Sequence, residues 1–473
     1  MGREIDGTRF QPLDFERFAA ALESETQLLE AWLASGRFDD SEFMVGFELE
    51  ACLLGRDCLP MPKNEELLER LSHPLVVPEL SRFNIELNGT PQRATGHGLR
   101  RLEAELEATW SRCLEVGRDI DASPIMIGIL PTLRNRDLTL ANISPRNRYF
   151  ALNDQVFKQR AGRPLRLNVT GRDHLEVSHS DVMLEAAATS FQVHLQAPVR
   201  EVHRYYNASL ILSAPMTALA ANSPFLFGKS LWEETRIPLF EQAVDTGGAQ
   251  TPELRRVSFG SGFIDDPLAY FRENIDHYSV LLPTEIQDGA SRLSHLRLHN
   301  GTIWRWNRLL IGVDGARGPT IRVEHRVMPA GPTIIDMIAN AALYVGAARF
   351  LAGLRDAPEA NIAFETARDN FYSVARDGLD ARITWLNGAE LRVRDLLADE
   401  LLHVAHQGLS TLGIDGDDAR RYLDLIRARV RAGQNGARWQ REFVSKHGSD
   451  FARLTAEYLA NQRSGIPVHE WPL

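Results

Sequence analysis

The sequence predicts an α+β fold, in which a curved, largely antiparallel sheet carries flanking helices and is followed by a helical C-terminal part. Two patterns lead to this prediction. Between about residues 42 and 330, short segments with strict two-residue alternation are separated by helical patterns. From about residue 333 onward, apolar residues recur at helical spacing almost throughout. The chain is therefore expected to form one large body with helices at its C-terminal end.

Three regions are predicted along the chain: an N-terminal helical segment at 1–40, a main domain at 41–350, and a C-terminal helical region at 351–473 that packs on it. An amphipathic helix is expected over 13–36, ending at Gly36. Further helices are predicted at 64–72, 97–121, 180–190, 203–220 and 231–244. The stretches 155–176 and 245–268 are rich in Gly, Pro, Arg and Asp, and we interpret them as loops that cover a site.

The charge balance argues against some classes of function. The chain has 63 acidic and 53 basic residues, a formal net charge of −10. Sequence-independent binding of nucleic acid needs clustered cations, so that partner is not expected. The sequence shows no signal peptide and no run of 18 apolar residues, so neither export nor a membrane span is predicted. The cytoplasm is the expected compartment, and homo-oligomerisation is left open.

Four strand-like segments carry polar side chains on one face. They are MVGFELEACLL, SRFNIELNG, TSFQVHLQA and TIRVEHRVM. Because alternate side chains of a strand point to opposite faces, each segment separates an apolar set from a polar one. The polar sets contain these residues: Glu48 and Glu50, Asn84, Glu86 and Asn88, Gln192, His194 and Gln196, and Arg322, Glu324 and Arg326.

For any single strand, a solvent-exposed sheet face is the favoured explanation. The four together differ, because Glu, Gln, Asn and His dominate where a solvent face prefers Thr, Lys and Arg. Glu48 and Glu50 on one face lie roughly 7 Å apart, and their repulsion raises a pKa unless a cation lies between them. Mg²⁺ favours oxygen ligands, and Mn²⁺ also accepts a His. The sequence therefore predicts a divalent-metal and nucleotide site on one sheet face.

Other nucleotide and catalytic motifs are missing from the sequence. It contains no GxxxxGK[ST] loop, no GxGxxG at the spacing of a dinucleotide site, and no GxSxG, HExxH or kinase HRD motif. His325 directly follows Glu324, so its side chain points to the opposite, apolar face of the strand, and we assign it to packing. Trp304 and Trp306 could stack on a base, but tryptophans on a half-buried strand are more often core.

The order and spacing of several motifs resemble the glutamate–cysteine ligase family, in the branch shared by plant-type enzymes and bacterial carboxylate–amine ligases. The motifs are VGFELE, FNIELN, TSFQVHLQ, IRVEHR followed by PTIIDMIANAALYVG, ALAANSPFLFGKSLWEETRIP and HNGTIWRWNR. The resemblance implies a glutamine synthetase-like sheet and ATP-dependent joining of a carboxylate to an amine through a γ-glutamyl phosphate. ATP with Mg²⁺ or Mn²⁺, glutamate or a similar carboxylate, and an amine such as cysteine are the implied ligands.

The resemblance also implies residue roles. Glu48, Glu50, Glu86, His194 and Glu324 would bind metal. Arg326 would hold the γ-phosphate, with Gln192 and Arg305 as further nucleotide contacts. Arg236 would hold a substrate carboxylate, in a pocket shaped by Asn222 and Ser223. The acceptor amine cannot be matched to residues.

Two alternatives to a ligase remain open at this stage. A phosphotransferase of the guanidino-kinase type could use a similar sheet, transferring phosphate to nitrogen without forming an amide. A binding protein could keep the fold without turnover. The intact set of Glu48, Glu50, Glu86, Glu324 and Arg326 argues against the second alternative.

Overall fold

The computed structural model of the protein describes residues 4, 5, 7–248, 251–313 and 317–473. The strands are β1 Met44–Leu54, β2 Val76–Pro78, β3 Asn84–Asn88, β4 Gln92–Arg93, β5 Ser123–Ile125, β6 Leu165–Thr170, β7 His174–His179, β8 Phe191–Gln196, β9 Phe225–Leu226, β10 Lys229–Ser230, β11 Asn307–Gly312, β12 Thr320–His325, β13 Arg382–Thr384 and β14 Glu390–Arg392.

The helices before and within the sheet region are α1 Pro12–Ala34, α2 Asn64–Leu71, α3 Gly98–Asp119, α4 Asn147–Gln159, α5 Val202–Ala220, α6 Arg236–Ala243, α7 Pro267–His277 and α8 Ser294–Gly301. Those that follow are α9 Ile334–Ala352, α10 Phe364–Asp377, α11 Val393–Leu396, α12 Leu402–Leu412, α13 Gly416–Ala432, α14 Gly436–His447 and α15 Phe451–Ser464. A π-helical turn, Leu397–Leu401, joins α11 to α12.

The main sheet has the strand order β11-β12-β8-β1-β3-β2, and β4 and β5 also pair with β1. All of these pairs are antiparallel. The sheet is open rather than closed into a barrel, and helices follow it in the chain. The predicted α+β class is confirmed.

Helices α5 and α9 cover the apolar face of the sheet. His325 of β12 stacks on Tyr344 of α9 at 4.1 Å between ring centroids. Asn307 of β11 donates to Ser213 of α5 at 2.8 Å. The prediction that His325 serves packing is therefore confirmed, and the alternate residues of β11 and β12 face the other way.

Helix α9 is the central core helix. It is long and apolar enough to cross a membrane, but 78% of its most apolar 18-residue stretch is buried inside the protein. It crosses α12 closely at Gly346 and Gly408. A Cβ at Gly346 would lie 2.3 Å from the Ala405 carbonyl oxygen, so only glycine permits this approach. Helix α9 therefore lies in the protein core along most of its length.

Several predicted elements differ from the structure. The predicted helix at 180–190 is only the 3₁₀ turn Met183–Ala187. The predicted loop at 155–176 contains the end of α4 and most of the β6–β7 hairpin. Its alternating burial, Leu165, Leu167 and Val169 inward, marks a strand that the Gly- and Arg-rich composition obscured.

The region 245–268 is irregular apart from the 3₁₀ turn Pro252–Leu254 and the start of α7, and its residues 249 and 250 lie outside the described ones. The helix predicted at 231–244 is shorter, because α6 begins at Arg236. The domain boundaries at 40 and 350 stay predictions, and the second falls inside α9.

A polar sheet face as the candidate active site

The strand register brings the predicted polar residues onto one face. Glu50 pairs with Glu86 across β1 and β3, and Glu48 pairs with Gln192 across β1 and β8. His194 pairs with Glu324 across β8 and β12. We call this surface the polar face, defined by Glu48, Glu50, Glu86, Gln192, His194, Glu324 and Arg326.

Three side chains on the polar face converge as a candidate metal site. The Nε2 atom of His194 lies 3.6 Å from Glu48 Oε1 and 3.5 Å from Glu324 Oε1. One ligand atom from each of the three lies within 4.8 Å of the other two. His194 Nε2 and Glu48 Oε2 are both enclosed, and none of the described residues forms a hydrogen bond with either. Buried polar atoms left in this state fit a cation between them.

The orientation of the His194 ring is set by Arg322. The Arg322 Nε donates to His194 Nδ1 at 3.2 Å, so Nε2 points to the carboxylates. A cation at Nε2 would need that nitrogen to be unprotonated, and Nδ1 would then carry the imidazole proton in place of its contact with Arg322.

Glu324 is held ionised by two arginines. Arg308 makes a bidentate contact with its carboxylate, and Arg326 NH1 donates to Oε2 at 3.0 Å. Burial alone would raise the pKa of Glu324, but the two guanidinium groups outweigh it and hold that pKa well below its ordinary value. Glu324 is therefore an anionic carboxylate even though it is buried, as a candidate metal ligand requires.

Gln192 connects the two halves of the polar face. Its Oε1 accepts from Arg326 NH1 at 2.6 Å, and its Nε2 donates to Glu50 Oε1 at 3.0 Å. The other oxygen of Glu50 accepts the backbone N–H of Ser190 at 2.7 Å. Glu50 and Arg326 are thus fixed relative to each other by one fully buried amide.

A second group of carboxylates surrounds Glu50. Burial, and then the Glu48 charge, raise the pKa of Glu86 to about 7. Burial and the Glu50 charge raise the pKa of Glu185 to about 8. Burial, followed by the Glu185 and Glu86 charges, raises the pKa of Glu79 well above its ordinary value. Without a compensating positive charge, these buried acids do not all ionise together.

Arg236 lies at the edge of the polar face, at the first residue of α6. It is only 2% exposed. Its Nε donates to Glu234 Oε1 at 3.2 Å, and its NH2 donates to the carbonyl oxygen of Arg326 at 3.2 Å. Burial lowers its pKa despite the opposing Glu234 and Glu50 charges. Arg236 is therefore locked in place beside Glu50 and Arg326.

Asn222 and Ser223 hold this arrangement from behind. Asn222 Nδ2 donates to the Ala330 carbonyl and to Tyr458 Oη, both at 2.8 Å, and its Oδ1 accepts from Gln440 at 2.9 Å. Ser223 Oγ donates to Glu234 at 2.6 Å. Both residues are fully buried. They position the Glu234–Arg236 pair, and a direct contact with substrate stays a prediction.

The structure does not bring Arg305 to the polar face. Its guanidinium lies 5.0 Å from the Tyr270 ring centre and contacts Glu273 at 3.2 Å. Arg305 is two residues before Asn307, so its side chain points to the same side of the sheet as that of Asn307, the side covered by α5 and α7. The strand of this segment begins only at Asn307, and its register places Arg308 opposite Glu324 instead.

Sequence reasoning missed Glu79, Glu185, Arg308 and a role for Arg322. The alternation of NRLLIG would have found Arg308 once the start of the strand was placed correctly. Glu79 and Glu185 lie outside strands, in a connection and a 3₁₀ turn, where side-chain direction follows no period. No sequence pattern points to them.

A cavity of about 390 Å³ opens beside the metal-site residues. It is lined by Glu48 and His194 and by further residues on or beside the strands of the main sheet, among them Gly46, Gly89, Gln196 and Arg322. The small glycines leave room above the strands. The polar face is therefore reachable by a ligand from this side.

A family model described as glutamate-cysteine ligase family 2 matches residues 44–457. The chain belongs to this family. Its membership supports a ligase, and the resemblance predicted from the sequence motifs is confirmed. No curated protein matches the chain in a sequence comparison.

A solved structure with a TM-score above 0.5 shows the same fold, and two further structures are more distant matches. A glutamate–cysteine ligase from Francisella tularensis in complex with AMP matches with a TM-score of 0.56 and 13% identity, over 92% of this chain and 91% of that one. A bifunctional glutathione synthetase from Pasteurella multocida matches with a TM-score of 0.48 and 12% identity, over 89% and 53%. A glutamine synthase homologue matches with a TM-score of 0.32 and 12% identity, over 94% and 74%.

Proposed function

We propose that this family member is an ATP-dependent carboxylate–amine ligase of the cytoplasm. It would activate the γ-carboxylate of glutamate, or a similar acid, as an acyl phosphate, and pass the acyl group to an amine. The observation that carries the proposal is the convergence of Glu48, His194 and Glu324, joined through Arg326 and Gln192 to Glu50.

The donor set suits a divalent cation bound with phosphate. Glu48, His194 and Glu324 would hold one ion. Glu50 and Glu86, on the neighbouring part of the polar face, stay predicted ligands. Mg²⁺ or Mn²⁺, when bound, supplies positive charge that screens the polyphosphate and stabilises charge on the transferring phosphoryl group.

Two arginines of the site, Arg326 and Arg236, would bind different anions. Arg326 is held on Glu324 and Gln192, facing the metal-site residues, where it would hold the γ-phosphate. Arg236 is fixed by Glu234 and donates to the backbone carbonyl of Arg326. It would hold the carboxylate of the acid substrate. Two anions must approach each other in the first step, and these guanidinium groups reduce their repulsion.

The proposed reaction has two steps, phosphorylation of the carboxylate and transfer of the acyl group to the amine. A carboxylate oxygen attacks the γ-phosphorus of ATP, the new P–O bond forms, and ADP leaves with the electron pair of the broken bond. A neutral amine nitrogen then attacks the acyl carbon, the C–N bond forms, and inorganic phosphate leaves. The amine loses a proton in this step, which yields the neutral amide.

The 390 Å³ cavity beside Glu48 and His194 is the proposed entry for the nucleotide. It lies next to the metal-site residues and is lined by Arg297 and Arg322, two cations suited to phosphate. The acid substrate would approach from the Arg236 side. The γ-phosphate of ATP and the acid substrate would then meet above Glu50 and Gln192.

The proposal is tested by trapping the acyl phosphate. Purified protein is incubated with ATP, glutamate, Mg²⁺ or Mn²⁺, and hydroxylamine, which converts an acyl phosphate to a hydroxamate. We expect hydroxamate, ADP and inorganic phosphate in equal amounts. A second set replaces hydroxylamine with cysteine and other amines, and mass spectrometry identifies the product.

Two outcomes would overturn the proposal. A stable phosphorylated amine with ADP and no free phosphate would indicate a phosphotransferase. Tight, metal-dependent nucleotide binding without turnover for any acid and amine would indicate a binding protein.

A further inference from the structure

Arg236 has one guanidinium nitrogen left for a substrate. Its Nε donates to Glu234, and its NH2 donates to the carbonyl oxygens of Arg326 and Val327. Its NH1 donates to none of the described residues and is not enclosed. The hydrogen bonds therefore hold one edge of the guanidinium group, the edge formed by Nε and NH2. A contact with the flat face of the group is needed to stop it turning about that edge and to fix the direction of NH1.

The indole of Trp306 provides this contact. The Arg236 Cζ atom lies over the indole ring, 5.1 Å from its centre, which is within the range of a cation–π contact. Trp306 is fully buried. Its backbone is fixed on both sides, because its N–H donates to the Ser258 carbonyl at 3.0 Å and its carbonyl accepts the Arg326 N–H at 2.9 Å. The backbone of Trp306 therefore keeps the indole beside Arg236.

Glu241 and Tyr372 fix the orientation of the indole ring. The indole Nε1 donates to Glu241 Oε1 at 2.9 Å, and the Tyr372 hydroxyl donates to the same oxygen at 2.7 Å. Phe240 packs against the ring edge to face, with 5.8 Å between the ring centres. Glu241 and Phe240 belong to α6, and Tyr372 belongs to α10. The ring is thus held from two helices, with its face toward Arg236.

We propose that Trp306 is a positioning residue for the acid substrate. It acts through Arg236, and Glu241 and Tyr372 act through Trp306. The inference rests on the proposed ligase function, in which Arg236 would hold the substrate carboxylate. A turned NH1 would weaken that contact, because charged hydrogen bonds depend on the direction of the donor as well as on its distance. The binding of ATP, proposed to involve Arg326, should depend on the indole much less.

Two substitutions of Trp306 test the aromatic face and the indole N–H. Trp306→Phe keeps an aromatic face but loses the N–H, whereas Trp306→Leu loses both. Each variant is assayed by hydroxamate formation, with glutamate and ATP varied in turn. We expect Trp306→Leu to raise the glutamate KM by about tenfold or more, since small misplacements of a binding group are costly. The ATP KM should stay close to wild type, and Trp306→Phe should recover part of the glutamate affinity.

A merely structural role of Trp306 predicts a different result. Loss of folded protein lowers the apparent kcat, because fewer active molecules remain, but the molecules that remain keep the wild-type KM. Trp385→Leu is the matched control, since Trp385 is also buried and also donates its indole N–H to a glutamate, Glu400, at 2.8 Å. Trp385 lies in the turn between β13 and β14. We expect this control to lose stability and to keep the wild-type KM for both substrates.

Two substitutions of Glu241 test the support of the ring. Glu241→Gln keeps an oxygen that can accept from both Trp306 and Tyr372, whereas Glu241→Leu removes the acceptor. We expect Glu241→Leu to raise the glutamate KM and Glu241→Gln to stay close to wild type. Because Glu241 acts through the indole, the double variant Glu241→Leu with Trp306→Leu should show no larger rise than Trp306→Leu alone.

The outcomes separate this inference from the ligase proposal. Absence of hydroxamate in wild type would overturn the ligase proposal, and the positioning role with it. Hydroxamate formation with a wild-type glutamate KM in Trp306→Leu would overturn the positioning role alone. Additive effects of the two leucine substitutions would show that Glu241 does not act through Trp306. If Trp306→Leu does not fold, a wild-type glutamate KM in Glu241→Leu overturns the inference, because Glu241 is only half-buried and its variant is expected to fold.

Discussion

His194 of β8 and Glu324 of β12 are directly opposed in the sheet, with 3.5 Å between Nε2 and Oε1. Glu48 of β1 completes the group from the other side of β8. Three ligand atoms from three adjacent strands can meet only if both strand registers are correct, because a slip of one residue turns every side chain to the other face. The site is therefore a direct consequence of the sheet pairing.

The candidate metal site leads to the first prediction. Glu48→Gln keeps the side-chain shape but removes one of the two buried carboxylates of that site. We expect the Mg²⁺ or Mn²⁺ concentration for half-maximal ADP formation to rise at least tenfold, in line with the sensitivity of metal sites to ligand charge. Titration of activity against metal measures it. Glu42→Gln, just before β1 and paired with surface arginines, should leave the metal requirement as it is. Equal requirements in both variants would exclude Glu48 from the site.

Arg236 provides the second prediction. A lysine cannot reproduce its simultaneous contacts with Glu234 and the two carbonyl oxygens of Arg326 and Val327. We expect Arg236→Lys to raise the KM for glutamate at least tenfold and to change the KM for ATP much less. Steady-state kinetics with each substrate varied separates the two. Arg272→Lys, a surface residue paired with Glu30, is the control. A larger effect on ATP than on glutamate would move Arg236 to the nucleotide side.

Strand periodicity explains which site residues the sequence could predict. Seven of the predicted site residues follow the two-residue alternation of strands, and the structure places them on one face. They are Glu48, Glu50, Glu86, Gln192, His194, Glu324 and Arg326. Arg305 was assigned from a motif rather than a register, and it lies on the opposite side. Glu79 and Glu185 come from irregular backbone, where position depends on tertiary packing that no local pattern records.

The same limit applies to the fold. The bounds that the sequence predicts for the long helices α3 and α5 agree with the structure within one or two residues. The β6–β7 hairpin was mistaken for a loop, because its turn and flanks are rich in Gly and Arg. Among the arginines of α13, Arg429 is only 1% exposed and pairs with Asp336. Its buried partner lies about ninety residues earlier in the chain, beyond any helical period.

The Arg429–Asp336 pair gives a prediction about stability. Arg429 NH2 lies 2.7 Å from Asp336 Oδ1, and both residues are fully buried between α13 and α9. The other oxygen of Asp336 accepts from Thr333 Oγ1 at 2.7 Å and from the Val468 backbone N–H at 3.0 Å. One carboxylate therefore joins the start of α9, α13 and the C-terminal segment.

Asp336→Asn keeps the shape of this side chain but leaves the Arg429 charge buried and unpaired. Breaking a buried pair in this way costs about 3–5 kcal/mol, whereas an exposed pair contributes about 0–1 kcal/mol. We therefore expect a clear drop in the urea midpoint and melting temperature for Asp336→Asn. Asp424→Asn, which breaks the exposed pair with Arg427 on the same helix α13, should change both very little. Equal stability losses in the two variants would show that burial of the Arg429 charge is not what makes this contact strong.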